Sequence, residues 1–279
     1  MINFFRRWIA GFPALLLAPY LCTVLLFGTE TALMIRRADP ELILPVFVAE
    51  EICEDYQEET IKVQTIIARS NLYRKLQNGA SAGTVLESYH RPDLTDCIRL
   101  FRSIRTYAKA VRETKGQVLT WQKELCLVPY CEMSNGRTRS GAEAFHDDRY
   151  RYLVSVDSSV DQQAPDFLSG VFLNAYQLPE ELKAEDRDSS GYAQSIRADG
   201  KILEAEAFRQ GMGLISSDFS IYKTGDRYRI LCRGKGHGLG FSQYGGNELA
   251  KDGADCKEIL NTYFPRMELS DIHTVFQEM

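Results

Sequence analysis

The sequence predicts an α+β fold: an N-terminal transmembrane helix, then a mixed domain of helices and short strands with a second small lobe. Three observations predict it. A long uncharged run fills most of the first 28 residues, and residues 58–112 carry apolar positions at helical spacing. Beyond Gly116 the pattern changes to short β-branched and aromatic stretches between glycines. The 279 residues, 44% hydrophobic and 25% charged, suffice for one large or two small domains around a sizeable core. A net charge of −5 argues against nucleic acid and leaves no basic face for anionic lipid.

Taken in order, Trp8 to Gly28 is 21 residues without a charge, about 31 Å of helix and enough to cross a hydrocarbon core. Pro13 and Pro19 would kink such a span without forbidding it. Arg6 and Arg7 favour a cytoplasmic N-terminus and an exported remainder. A cleaved signal peptide shares these features. The length of the run and the lack of a small-x-small site favour a retained anchor. The domains expected are therefore an anchor and linker over 1–37 and an exported domain over 38–279, held on the cell membrane by one span.

The apolar run from Leu42 to Ala49 ends in Glu50-Glu51. Helices are expected over 58–76, with Val63, Ile66, Ile67, Tyr73 and Leu76 on one face, and over about 95–112. Strands follow at 117–121, 152–156 and 227–232, and 161–191 reads as an irregular connection or a second lobe. Asp255-Cys-Lys-Glu258 is a capping-box pattern opening a last helix. Six of the seven cysteines lie outside the expected span, too scattered for a small disulfide scaffold. Cys126 and Cys131 are the close pair. Three readings of them stand: a disulfide, two unrelated buried thiols, or a soft-metal site with His146 as third ligand and water or substrate as fourth.

The stretch GKGHGLGFSQYGG, Gly234 to Gly246, holds six glycines in thirteen residues. The spacings of a phosphate loop are absent, and no HExxH motif makes a zinc hydrolase of His237. Glycines that let a polymer approach the backbone, flanked by His237, Ser242, Gln243 and Tyr244, suit a sugar cleft. The acids Glu50 and Glu51, on the residues alone, read as a solvated pair opening a helix.

The stretch GKGHGLGFSQYGGNELAKDGADCKEILNTYF strongly resembles the C-terminal signature of the stage II sporulation protein D (SpoIID/LytB) family, roughly GxGxGHGxGxSQYGAxxxAxxGxxxxxILxxYY. LPVFVAEEICEDYQEETIKVQTIIARSNLYRKL is similar to that family's N-terminal block. YCEMSNGRTRS and YRYLVSVDSSVD resemble its middle block, and FRQGMGLISSDFSI the stretch before the last strand. The resemblance covers about residues 40–269. It departs at Gly245-Gly246, where the family has Gly-Ala, at Pro265-Arg266-Met267, and at the single glycine of MSNGRT.

The resemblance implies a membrane-anchored lytic transglycosylase that cuts peptidoglycan glycan strands and leaves 1,6-anhydro-muramyl ends. In endospore formers that work serves septal wall remodelling and engulfment of the forespore, alongside a partner cell-wall amidase or endopeptidase. Glu51 matches the family's catalytic glutamate, and the apolar run before it would raise its pKa. The same resemblance places Tyr130 and Ser134 along the substrate cleft with His237, Ser242, Gln243 and Tyr244 of the glycine stretch; Arg69 would hold a sugar carbonyl or position Glu51, and Tyr263 would stack on a sugar ring or sit in the core. It implies no cofactor for the chemistry; by analogy with some members of the family it also suggests a structural zinc beside the cleft, for which Cys126, Cys131 and His146 are the candidate ligands here. A non-catalytic wall-binding protein or amidase enhancer is the alternative of a different class.

Overall fold

In the computed structural model the described residues are 39–80, 84–85 and 94–277. The expected membrane segment lies outside them, and among the described residues no helix is long and apolar enough to cross a membrane. Packing divides the chain into a unit Met1–Ile43 and a unit Leu44–Met279, and every site residue belongs to the second.

The run before the acid pair is itself helical. The Asp39 carboxylate accepts the Glu41 amide at 3.0 Å and opens α1, Pro40–Glu51, where Pro40 costs no hydrogen bond. Leu44, Phe47 and Val48 are buried, so the apolar run is explained by packing. Glu50 and Glu51 close this helix; the expectation that they open one is corrected. The end of a helix repels carboxylates, so stability alone does not account for the pair.

Next come α2, Glu58–Gln77, and α3, Leu94–Glu113, within a residue or two of expectation. Lys62 bridges Glu59 of its own helix and Glu113 of α3 at 2.7 and 3.1 Å. Strand β1, Gln117–Trp121, turns through Gln122 and Lys123, both at positive φ, into β2, Glu124–Leu125. That pair of backbone conformations is the one that matches a tight hairpin to strand twist. Strand β3, Tyr130–Cys131, and the short helix α4, Gly141–Phe145, follow. The strand expected at 152–156 does not form. Val156 instead exchanges hydrogen bonds with Thr138, and Leu153 folds back on Tyr150.

The second lobe is a pair of three-stranded antiparallel sheets. One holds β4, Leu168–Asn174, with β8, Asp218–Thr224, and β9, Arg227–Arg233; the other holds β5, Leu182–Ala184, β6, Ser195–Ala198, and β7, Lys201–Glu204. Helix α5, Ala205–Gly211, packs with them, and Ile196, Phe219, Tyr228 and Ile230 fill a core of their own. The chain then returns to the first lobe through β10, Phe241–Ser242, α6, Gln243–Lys251, and α7, Cys256–Tyr263. The expected capping box opens α7: Asp255 accepts the Glu258 amide at 2.8 Å, and Glu258 accepts that of Asp255 at 2.9 Å. Strand β11, Glu268–Asp271, pairs with β1, and α8, Ile272–Gln277, ends the described chain. The larger core joins Val63, Ile66 and Ile67 of α2 to Leu119, Phe241 and Ile259, each worth about 1.5–3 kcal/mol in burial. This core holds the first helices against the last strands.

Candidate active site

The glycine-rich segment lies flat on the chain from Pro129 to Ser134. Met133 and Lys235 exchange backbone hydrogen bonds of 3.0 and 2.8 Å, and the Phe241 amide donates to the Pro129 carbonyl. Gly238 and Gly240 have φ of +76° and +70°, a region costly to any residue with a Cβ. A Cβ on Gly240 would strike the Pro129 carbonyl, and one on Gly238 the Tyr192 ring. These glycines therefore let the segment pack closely against Pro129 and Tyr192 inside the protein, which corrects the expectation that they let a polymer approach. His237 and Leu239, between them, line the cleft.

Strands β3 and β10 run parallel, Tyr130 beside Phe241 and Cys131 beside Ser242. Behind them sits Asp161, wholly buried. Its Oδ2 accepts the Ser134 amide and hydroxyl and, at 2.8 Å, the Ser242 hydroxyl. Burial raises its carboxyl above the ordinary range against the pull of the serine hydroxyls. The Ser242 hydroxyl also caps α6 by accepting the Gly245 amide. One carboxylate thus ties two separated segments together.

From that platform Gln243, almost fully buried, donates through Nε2 to the Glu51 carbonyl at 2.7 Å and to Gln64 Oε1 at 3.0 Å. Gln64 Nε2 in turn donates to Glu51 Oε2 at 2.7 Å. Backbone and side chain of Glu51 are each held by an amide, and Glu50 is exposed beside it. The Tyr130 phenol is pushed up by burial, with the charge of Glu51 next, so it keeps its proton.

Glu51 stands where two depressions meet. One, of about 570 Å³, is walled by Tyr130, Leu239, His237, Phe145 and His146. The other, of about 380 Å³, is walled by Glu50, Glu54, Asp55, Tyr56 and Glu132. A third, of about 340 Å³, shares Arg74 and Leu127 with the first. Adjoining through these shared residues, the three make one series of depressions, the groove, with Glu51 between the first two. His237 accepts the Leu239 amide on Nδ1 at 3.0 Å, which leaves the proton on Nε2. Burial, helped by Arg209 and Arg139 against Glu206, pushes its pKa down to about 4, so the ring is neutral at physiological pH. Burial would raise Glu206, but Arg209, Ser217 and Gln210 together hold it at about 2.

The residues expected to line the cleft divide sharply. Glu51, Tyr130 and His237 line it, and Gln243 positions Glu51. Arg69 does not: it is fully buried, with its guanidinium on the Val111 and Gln117 carbonyls and Thr114, where it caps the negative end of α3. Ser134 and Ser242 are interior partners of Asp161. Tyr263 is a core residue on the Ser158 hydroxyl at 2.8 Å, edge-on to Phe241. Tyr244 is half-buried on the first turn of α6, outside the cleft lining. The expected zinc ligands do not converge. Cys126 lines the third depression, Cys131 is interior, and His146 faces the cleft. Among the described residues no three His, Cys, Asp or Glu side chains form a metal-holding group, and both cysteines are free thiols. Burial raises both of those thiols.

Gln64 and Asp161 went unmarked in the sequence. Gln64 is the signal that was there to find, a polar side chain on the buried face Val63–Ile67.

A family profile described as SpoIID, stage II sporulation protein, matches residues 29–121, which include Glu51 and Gln64. The chain is 26% identical to stage II sporulation protein D of Bacillus subtilis over 80% of its length and 72% of the relative's. It has the same identity and coverage with the protein of that name in Bacillus amyloliquefaciens. It is 22% identical to an uncharacterized protein of Brachyspira hyodysenteriae over 89% of its length and 71% of the relative's. The profile takes in the acid and the helix that orients it, and the relatives extend the likeness across both lobes. On these matches the chain is similar to the SpoIID family of stage II sporulation proteins.

Proposed function

We propose that this protein is a peptidoglycan lytic transglycosylase in which Glu51 acts first as acid and then as base. The observation that carries the reading is the placing of Glu51: one amide-oriented carboxyl in the wall of a groove open on both sides of it. The Glu51 carboxyl gives its proton to the glycosidic oxygen as the bond from C1 of the muramyl residue breaks. The carboxylate then takes the proton of that residue's 6-hydroxyl, whose oxygen bonds to C1 and closes the 1,6-anhydro ring. No water is consumed and the acid is restored, so the second carboxylate of a hydrolase is unnecessary. Gln64 orients the carboxyl, Gln243 fixes its backbone, and the Tyr130 phenol and neutral His237 offer donors to the sugar.

The protein would act outside the cell membrane, anchored by its N-terminal segment, on septal wall during sporulation and beside a partner amidase or endopeptidase. Digestion of purified glycan strands by the full-length protein, read by mass spectrometry, tests the chemistry. Anhydro-muramyl ends are expected. Reducing ends would make it a hydrolase, and binding without cleavage would favour the wall-binding or amidase-enhancing reading.

A further inference from the structure

Several charged groups in the groove walls are ion-paired. Arg139 is on Asp188, Glu206 on Arg209, Glu132 on Lys235 and Arg149 on Asp147. Arg74 differs. It lies in the last turn of α2, in the wall common to the first and third depressions. Its Nε is buried and makes no hydrogen bond, and no carboxylate among the described residues pairs with it. A guanidinium donor withdrawn from water and left unpaired is costly, and native interiors seldom keep one. No Asp or Glu lines the third depression beside it.

The far end of the groove has the opposite character, with Glu50, Glu54, Asp55 and Glu132 around the depression beyond Glu51. Gln64, which holds Glu51, and Arg74 are ten positions apart on one helix, about 15 Å along its axis. The acid and the unpartnered cation are thus offset along a single groove.

We infer that Arg74 is an anion-binding subsite that takes a carboxylate of the bound strand away from the cut, and so sets which way the strand lies. The acidic end repels the same group, and the reversed strand is disfavoured. This rests on the glycan reading above. Two carboxylates meet the requirement: the lactyl group of a muramyl residue without peptide, or a stem peptide's own carboxylates.

The test uses full-length protein carrying Glu51→Gln, so that binding is read without turnover. Affinities are compared for a neutral N-acetylglucosamine oligomer, peptide-free glycan strands and strands that keep their peptides. A preference for carboxylate-bearing strands is expected, and Arg74→Gln should cut it by about tenfold to a hundredfold. Arg74→Lys should keep part of it, and which strand is preferred identifies the carboxylate. An unchanged preference in Arg74→Gln overturns the subsite. Failure of the Glu51→Gln protein to bind any of the three overturns the glycan reading, and the subsite with it.

Discussion

Glu50 and Glu51 differ in little but the direction of their side chains. The first is exposed; the second is half-buried and hydrogen-bonded to Gln64. Glu51→Gln keeps the shape and removes the proton, so strand cleavage should fall by about 10²–10⁴-fold, with the melting temperature unchanged. Glu50→Gln should cost far less, and reversed outcomes would move the acid one residue upstream. Gly246, where the family has alanine, is the other telling residue. A Cβ there would strike the ring of Phe241, which is fully buried and packed on Tyr263. Alanine gains up to about 1 kcal/mol in helix propensity but overpacks a site that cannot yield, at about 1–3 kcal/mol. Gly246→Ala is therefore expected to lower stability in urea denaturation by about 1 kcal/mol. Phe241→Leu in the same chain should recover part of the loss.

Among the elements, α2, α3 and α7 were legible because their signals are local: an apolar face, an acid three residues past a cap. The glycine segment was legible as a special backbone but not as to what it meets, since close approach to a ligand and to Pro129 select the same residue. The family's motif likewise mixes groups that face the cleft with Arg69, Ser134, Ser242 and Tyr263, which hold the walls in place, and spacing cannot separate the two. The expected strand at 152–156 has the composition of one, but its partner is the irregular segment at Thr138, which no local rule announces. Asp161 shows how β3 and β10 are held. Asp161→Ala would leave the Ser134 amide and two hydroxyls without their acceptor, at about 1–3 kcal/mol for each group not rescued. Asp161→Asn keeps an acceptor oxygen and should cost much less. Equal losses in thermal melts would mean that the carboxylate is not the tie.

At the scale of the whole molecule, the neutral His237 in the groove wall links stability to pH. Its folded pKa of about 4 lies below the ordinary 6.5, so the unfolded chain takes up the proton first as pH falls. Its contribution is complete above about pH 6.5 and is lost on the way down to about 4. Glu206, held down from 4.5, matters only at more acid pH, while Asp161, raised by burial, works in the opposite sense. The comparison with His237→Gln isolates the histidine: between pH 6.5 and 4.5 the parent should lose more melting temperature than the variant. Parallel curves would remove this link.

The Glu51 carbonyl is held by Gln243, 192 residues further along the chain, and its carboxyl by Gln64, only 13 away. That span has a meaning in time. While the protein is being made, Glu51 and its helix can form before the residue that fixes the Glu51 backbone has arrived. A chain interrupted before β10 would carry the acid and the helix that orients it but lack the final hold. On the proposed reading, cleavage would wait until that last segment has folded against Glu51.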